Sequence, residues 1–239
     1  MKRGLRLGSF LPIYLFVFGV CIGIAVFGSK AVTVMSQSAP LKDRHPIVID
    51  AGHGGEDGGA TSCTGILEST INLQIAQRLD DLLHFIGYDT VMIRNTDISV
   101  YTQGDTIAAR KASDLRHRVK ITNDTENGIL ISIHQNYFEQ SKYHGAQVFY
   151  AADANSERLA KQLQDALVTS INKDSNRQAK KASGIYLMEN IHLPGILVEC
   201  GFLSNPEEEA LLRNEEYQKK LCCVIASTVS NYLDRDDIN

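Results

Sequence analysis

The sequence has no C-x-x-C pair and no cysteine framework. Of its five cysteines, Cys21 lies in an apolar run, Cys222 and Cys223 are adjacent, and only Cys63 and Cys200 stand alone. A thiolate metal site is therefore unsupported. Clustered positive charge is also missing. The formal net charge is −4, and without Lys2, Arg3 and Arg6 it falls to −7. No nucleic acid is expected as a partner, because phosphate contacts need grouped Lys and Arg. Internal repeats and low-complexity tracts are absent. The one glycine-rich turn also fails as a phosphate cradle. Counting G-x-G-x-x-G from Gly52, the third glycine position holds Asp57, and Glu56 and Asp57 would repel an anion.

Charge is absent altogether from residues 10–28, FLPIYLFVFGVCIGIAVFG, which Lys2, Arg3 and Arg6 precede. Such a run is just long enough to cross the hydrocarbon layer as a helix. The positive flank keeps the first residues in the cytoplasm and sends the rest across. A cleaved signal peptide has a shorter apolar region and a small-x-small exit site. Val26-Phe27-Gly28 is a poor one, so an uncleaved signal anchor over residues 1–29 is expected, with a cleaved signal as the alternative. A linker over 30–45 and an exported domain over 46–236 follow.

What remains alternates. Short branched runs occur at 46–51, 89–94, 128–133, 145–150, 184–188 and 195–199, several apolar on both parities, as in strands buried on both faces. Helical spacing joins Ile71, Ile75, Leu79, Leu82, Leu83 and Ile86, with Gly87 as the stop. It recurs through Leu159, Leu163, Ala166, Leu167 and Ile171. Pro206 followed by Glu207, Glu208 and Glu209 opens another helix, and a last one spans about 214–233. The expected fold is α/β: a single three-layer domain, an open, mostly parallel sheet of about six strands with helices on both faces, plus the N-terminal transmembrane helix.

In open α/β sheets, sites form beyond the carboxyl ends of the strands. His53 follows the first strand, among five glycines within eight positions (52–59). His134 follows ILISI, Glu199 closes ILVE, and Glu68 precedes the first helix. Taken singly, His53 reads equally well as a loop histidine and His134 as a satisfied core histidine. Glu199 is harder to dismiss, because carboxylates are rarely buried unless paired or bound to metal. The remaining histidines (45, 84, 117, 144 and 192) are expected mostly at the surface.

IVIDAGHGGEDGGA, GILESTINLQIAQRL, MIRNTD, LISIHQN and PGILVECGFLSNPEE, in that order, resemble the blocks of the zinc-dependent N-acetylmuramoyl-L-alanine amidases (Amidase_3). The short form, the N-terminal anchor and NRQAK look most like the germination-specific CwlD-type amidases of spore-forming bacteria. The resemblance covers about residues 46 to 234. It implies one Zn2+ per chain, with His53, Glu68 and His134 as ligands and Glu199 as catalytic glutamate. Two imidazoles and one carboxylate leave a fourth tetrahedral position for water, as in catalytic zinc sites. The implied substrate is the peptidoglycan glycan strand with its stem peptide, cut between N-acetylmuramic acid and L-alanine. In a spore former that would be a step towards cortex muramic lactam.

The resemblance further implies action outside the cytoplasm, in the cell wall or spore cortex space, with the membrane held through the N-terminal helix. Little room remains between Gly145 and Glu199 for the autoinhibitory helix of some relatives, so control by location or by a regulatory partner protein is expected. Gln135 departs from the small residue many relatives carry and is expected to shape the wall beside the metal. Asn136 and Arg177 are candidates for holding substrate. Two other readings are a non-catalytic peptidoglycan-binding protein and a cysteine peptidase using Cys200, for which no activating histidine is assigned.

Overall fold

Six strands and six helices make up the described part of the chain, residues 45–235 of a computed structural model. The apolar run at 10–28 and the linker lie outside it. No helix among the described residues is long and apolar enough to cross a membrane. In chain order the elements are β1 (Ile47–Ala51), α1 (Glu68–Phe85), β2 (Thr90–Met92), α2 (Ile107–Asn123), β3 (Ile129–Asn136), β4 (Gln147–Tyr150), α3 (Ala154–Ser170), β5 (Lys180–Lys181), α4 (Tyr186–Asn190), β6 (Gly195–Phe202), α5 (Pro206–Leu212) and α6 (Glu215–Arg235).

The strands form one sheet in the order β2-β1-β3-β6-β4-β5. The first four are mutually parallel. β4 runs antiparallel to β6 and carries β5 with it, so the sheet is mixed, one step from the mostly parallel expectation. Chain length gives the reason. A parallel return needs a crossover of a dozen or more residues, and only residues 137–146 separate β3 from β4.

Alternation along the strands divides the core. Ile47, Ile49, Ile129, Ile131, Ile133, Ile196 and Val198 face α1, α3 and α6, meeting Ile75, Leu79, Leu163, Leu167, Leu221 and Ile225. Val48, Leu130 and Leu197 face the other way, towards Leu187 and Met188 of α4 and the half-buried Val119 and Ile121 of α2. The two faces make the expected three layers.

Two segments depart from the sequence pattern. GIYLM (184–188) reads as a strand but leads into the short helix α4, and the sixth strand is Lys180–Lys181 instead. Five apolar residues cannot decide between helix and strand by period alone. Here Gly184 turns at φ +73° and donates its N–H to Glu189 Oε1 at 2.6 Å, which winds the segment. α2 is the other. It shows no apolar stripe because its buried residues are Ser113, Arg118 and Thr122. Its start is marked by Thr106, whose side chain accepts the Ala109 N–H at 3.2 Å.

α2 is tied to the sheet by charge. Arg118 reaches Asp50 of β1 at 2.5 Å with both side chains almost fully buried, and its Nε meets Asp114 at 2.5 Å. Burial works to raise the Asp50 pKa, but Arg118, His134 and Ser132 outweigh it and hold the carboxyl below the usual range. Removing one partner of a buried pair strands the other charge. Arg118→Met should therefore cost about 3–5 kcal/mol in urea unfolding, and adding Asp50→Ala should recover part of that loss. A cost below about 1 kcal/mol would mean that this pair is not what holds α2.

Candidate metal centre

β1, β3 and β6 are neighbours in the middle of the sheet, and being parallel they end on the same rim. That brings together the groups the sequence leaves far apart. β3 and β6 also run further than the apolar runs suggest, so His134 and Glu199 lie within strands as ladder partners. Ladder partners project to one face. The register shifts immediately after them, between His134 and Asn136, and such irregularities re-aim side chains beside functional sites.

His53 leaves β1 on a left-handed turn with φ +61°, where non-glycine residues are uncommon. Glu68 is the first residue of α1 rather than part of the loop before it. Its Oε2 lies 3.2 Å from His53 Nε2 and its Oε1 3.0 Å from His134 Nδ1. The two imidazoles meet edge-on, with centroids 5.0 Å apart. One ligand atom from each of His53, Glu68 and His134 lies within 4.8 Å of the others, the one such grouping among the described residues.

Two glycines make this approach possible. A Cβ on Gly52 would sit 2.2 Å from His134 Nε2. One on Gly59, which turns at φ +67°, would sit 2.5 Å from Glu68 Oε2 and 2.7 Å from His53. Any larger residue at either position would fill the cradle of the three donors.

The supporting shell is polar, with Ser69 Oγ and Gln135 Oε1 buried without hydrogen-bond partners. Asp57 Oδ2 lies 3.0 Å from His53 Nδ1 and 3.1 Å from Lys111 Nζ. A carboxylate on the far nitrogen of a histidine is the usual orienting partner in metal sites. Arg94 gives its donors to the carbonyls of Ala51, Gly52, Ser69 and Thr96. Arg118 donates to the carbonyls of Ala51 and His53. Asn72 donates to Gly52 O and Glu68 Oε1. Gln135 corrects one expectation. Its side chain turns to the opposite face and donates to Asn72 at 3.1 Å, while its backbone N–H reaches Glu68 Oε1 at 3.2 Å. It supports a ligand from behind and does not shape the cleft wall.

The electrostatics favour a cation at the centre. Burial works to lower the His53 pKa, but hydrogen bonds to Asp57 and Glu68 raise it to about 9. Burial likewise opposes ionisation of Glu68, yet His134 and His53 hold its carboxyl far below the usual range. Glu199 differs. Burial dominates and lifts it to about 7, with His134 pulling down and Glu68 pushing up. Its Oε2 is buried without a hydrogen-bond partner. Two neutral-capable imidazoles and one carboxylate match the donor set of an open tetrahedral zinc site, so these residues fit a zinc ion.

His53, His134 and Glu199 border a cleft of about 200 Å3, walled by Lys111, Leu115, Ile185, Tyr186 and Leu187. Neither Asn136 nor Arg177 borders it. Asn136 ends β3 and accepts the Leu203 N–H through its carbonyl at 2.8 Å. Arg177 lines a separate groove. Arg94, Arg118, Asp57 and Asn72 are the supporting residues that sequence reading missed. Their signal would have been polar residues at positions where a core demands apolar ones.

Cys200 is fully buried on the opposite face, in the core with Cys222. Burial pushes its thiol well above the ordinary range, where thiolate is scarce. The cysteine-peptidase reading fails on this placement. A thiol-alkylating reagent should label the exposed Cys63 and Cys223 in the folded protein and spare Cys200 and Cys222. Mass mapping that finds Cys200 labelled, with activity lost in step, would restore it.

Comparison with known proteins agrees with the geometry. The family model for N-acetylmuramoyl-L-alanine amidase (Amidase_3) matches residues 47–231. The germination-specific N-acetylmuramoyl-L-alanine amidase of Bacillus subtilis (strain 168) is 42% identical over 197 residues, 82% of each chain. The CwlD amidase from Clostridioides difficile, solved in complex with the GerS lipoprotein, superposes with a TM-score of 0.77 at 38% identity, covering 81% of this chain and all of that one. A second amidase, from Clostridium difficile 630, gives a TM-score of 0.70 at 30% identity over 80% and 98% of the two chains.

Proposed function

The chain belongs to the N-acetylmuramoyl-L-alanine amidase family and is a peptidoglycan amidase, and from that premise we propose a zinc site of His53, Glu68 and His134 with Glu199 as the general base. The carrying observation is the meeting of three donors around one point, with Glu199 beside them, its Oε2 buried without a hydrogen-bond partner. The bond cut would join the lactyl group of N-acetylmuramic acid to L-alanine. A bound zinc ion would polarise the amide carbonyl and lower the pKa of water towards ~7.

The chain's own residues do the rest. Glu199, raised to about 7, would take a proton from water near neutral pH and return it to the leaving amine. Asp57 keeps His53 Nδ1 engaged, which leaves Nε2 directed at Glu68. Leu187 and Leu197 keep one cleft wall apolar, limiting water beyond the reacting one.

The setting follows from the relatives. A germination-specific homologue supports a role in the spore cortex, where freeing muramic acid of its peptide would precede lactam formation. The CwlD amidase bound to a lipoprotein supports a regulatory partner on the outer side of the membrane. Residues 1–29 would act as a signal anchor and residues 46–236 as the exported catalytic domain. A non-catalytic binding protein would have no use for an unpartnered buried carboxyl next to three metal donors.

His53→Ala, Glu68→Ala and His134→Ala should each lower zinc content in elemental analysis; full zinc in all three would sink the ligand assignment. Glu199→Gln should keep its zinc while turnover falls ~10²–10⁴-fold. Digestion of peptide-bearing glycan should free α-amino groups on alanine without new reducing ends. A chelator should stop that release and zinc restore it. New reducing ends with alanine still blocked would mean that the sugar chain is cut instead.

A further inference from the structure

A second groove opens on the same rim, beside β4. Its volume is about 620 Å3, and Lys142, Tyr143, His144, Gln147, Arg177 and Lys180 are among its walls. Gln147 connects it to the metal centre. Gln147 is the ladder partner of Glu199, and directly opposed residues of an antiparallel pair share a face with Cβ atoms ~5 Å apart. Gln147 Nε2 donates to the Gln178 carbonyl at 2.6 Å, and its Oε1 accepts from Arg177 Nη1 at 3.4 Å. Arg177 thus stands one side chain away from Glu199. The chain then runs from the groove at Arg177 and Lys180 to the cleft wall at Ile185, Tyr186 and Leu187.

Arg177 is held but not neutralised. Its Nε donates to the His144 carbonyl at 2.9 Å, and its guanidinium lies over the Phe202 ring at 4.8 Å. These partners fix the group, and Glu208 offsets part of its charge from beyond ion-pair distance. Neither Arg177 nor Lys142 nor Lys180 forms an ion pair among the described residues, and Lys142 rests only over Tyr143, at 5.4 Å. The cations on the α2 side are different. Arg110 pairs with Glu56, Lys111 with Asp57, and Arg118 with Asp50 and Asp114. The acids nearest the groove offset its charge only in part. Asp174 is exposed on its rim, and Glu208, which feels Arg177, accepts the N–H groups of Gly145 and Phe202 with its two oxygens. A fixed arginine with no carboxylate directly on its guanidinium, in an acidic chain, is a seat for an anion.

We propose that this groove is a carboxylate-recognising subsite, in which Arg177 binds a free carboxylate of the stem peptide beyond the scissile amide. The inference rests on the amidase reading. The first residue after the amide, alanine, carries no charge, so charge-based recognition must come further along. An extended peptide advances ~3.3 Å per residue, which puts a carboxylate on the second or third residue ~7–10 Å from the reacting carbonyl. Glu199 and Arg177 flank Gln147, the first paired with it across the ladder and the second bonded to it at 3.4 Å, so a single side chain separates the two ends of that path. Arg177 is therefore a specificity residue, and it leaves the chemistry at the metal centre unchanged.

The test compares two glycan fragments that differ in one group, the carboxylate of the second stem residue, either free or amidated. Zinc-loaded full-length protein is assayed beside Arg177→Met and Arg177→Lys. Loss of a charge-assisted hydrogen bond is expected to raise KM for the free-carboxylate fragment ~10–100-fold in Arg177→Met, with kcat changed less than about threefold. KM for the amidated fragment should move less than about threefold. Arg177→Lys, which keeps the charge but not the fork, should fall between. Equal KM increases on both fragments, or none on either, would overturn the subsite and leave the amidase reading standing. Cleavage of neither fragment by the unmodified protein would overturn both.

Discussion

Two buried arginines hold the bend from which His53 is presented. Arg94 and Arg118 together bind the carbonyls of Ala51, Gly52 and His53, three successive residues at the end of β1. A residue in the left-handed region costs on the order of 1–3 kcal/mol. Each hydrogen bond from a charged donor contributes about 1.5–3 kcal/mol, so several of them outweigh that cost. The bend is over-determined, and His53 stays in place without help from a glycine at its own position. Arg118 is itself fixed by Asp50 and Asp114, which makes α2 part of the site although it offers no ligand.

The balance of charge explains why the centre suits a cation. Asp57 and Glu68 flank His53, and Glu68 also touches His134. The same two carboxylates raise the His53 pKa against the pull of burial. Glu199 sits close enough to feel both histidines and Glu68, yet it accepts no hydrogen bond at Oε2. The same pocket therefore contains one carboxyl held ionised by its neighbours and one held near neutrality by burial, and that division matches the two tasks of binding and proton transfer.

Much of this was legible in the sequence, for definite reasons. His53, Glu68, His134 and Glu199 each sit at a change of pattern, where an apolar run stops or a helix starts, and in an α/β sheet those changes share one rim. Strand adjacency was not legible, because it depends on pairing between segments some 80 residues apart in β1 and β3. α2 escaped notice because its sheet-facing side is polar: Arg118 is buried by its charge partners and not by apolar neighbours. The strand read at 184–188 became a helix with Glu189 accepting the Gly184 N–H and giving its own N–H to the Ile185 carbonyl, which no hydrophobic period encodes. Arg177 was visible as a polar loop residue. That no carboxylate pairs directly with it, and that it sits one side chain from Glu199, could be seen only in three dimensions.

The sheet ends on β5, two residues long and both lysine, and on β2, three residues long. Open strand edges invite backbone pairing with another chain, and short, lysine-bearing edges discourage it. The central strands, eight residues each in β3 and β6, are flanked on both sides and never reach an edge. Self-association by edge-to-edge strand addition is thereby disfavoured at both margins. On this account the rim stays free to meet a glycan polymer in place of the protein's own copies.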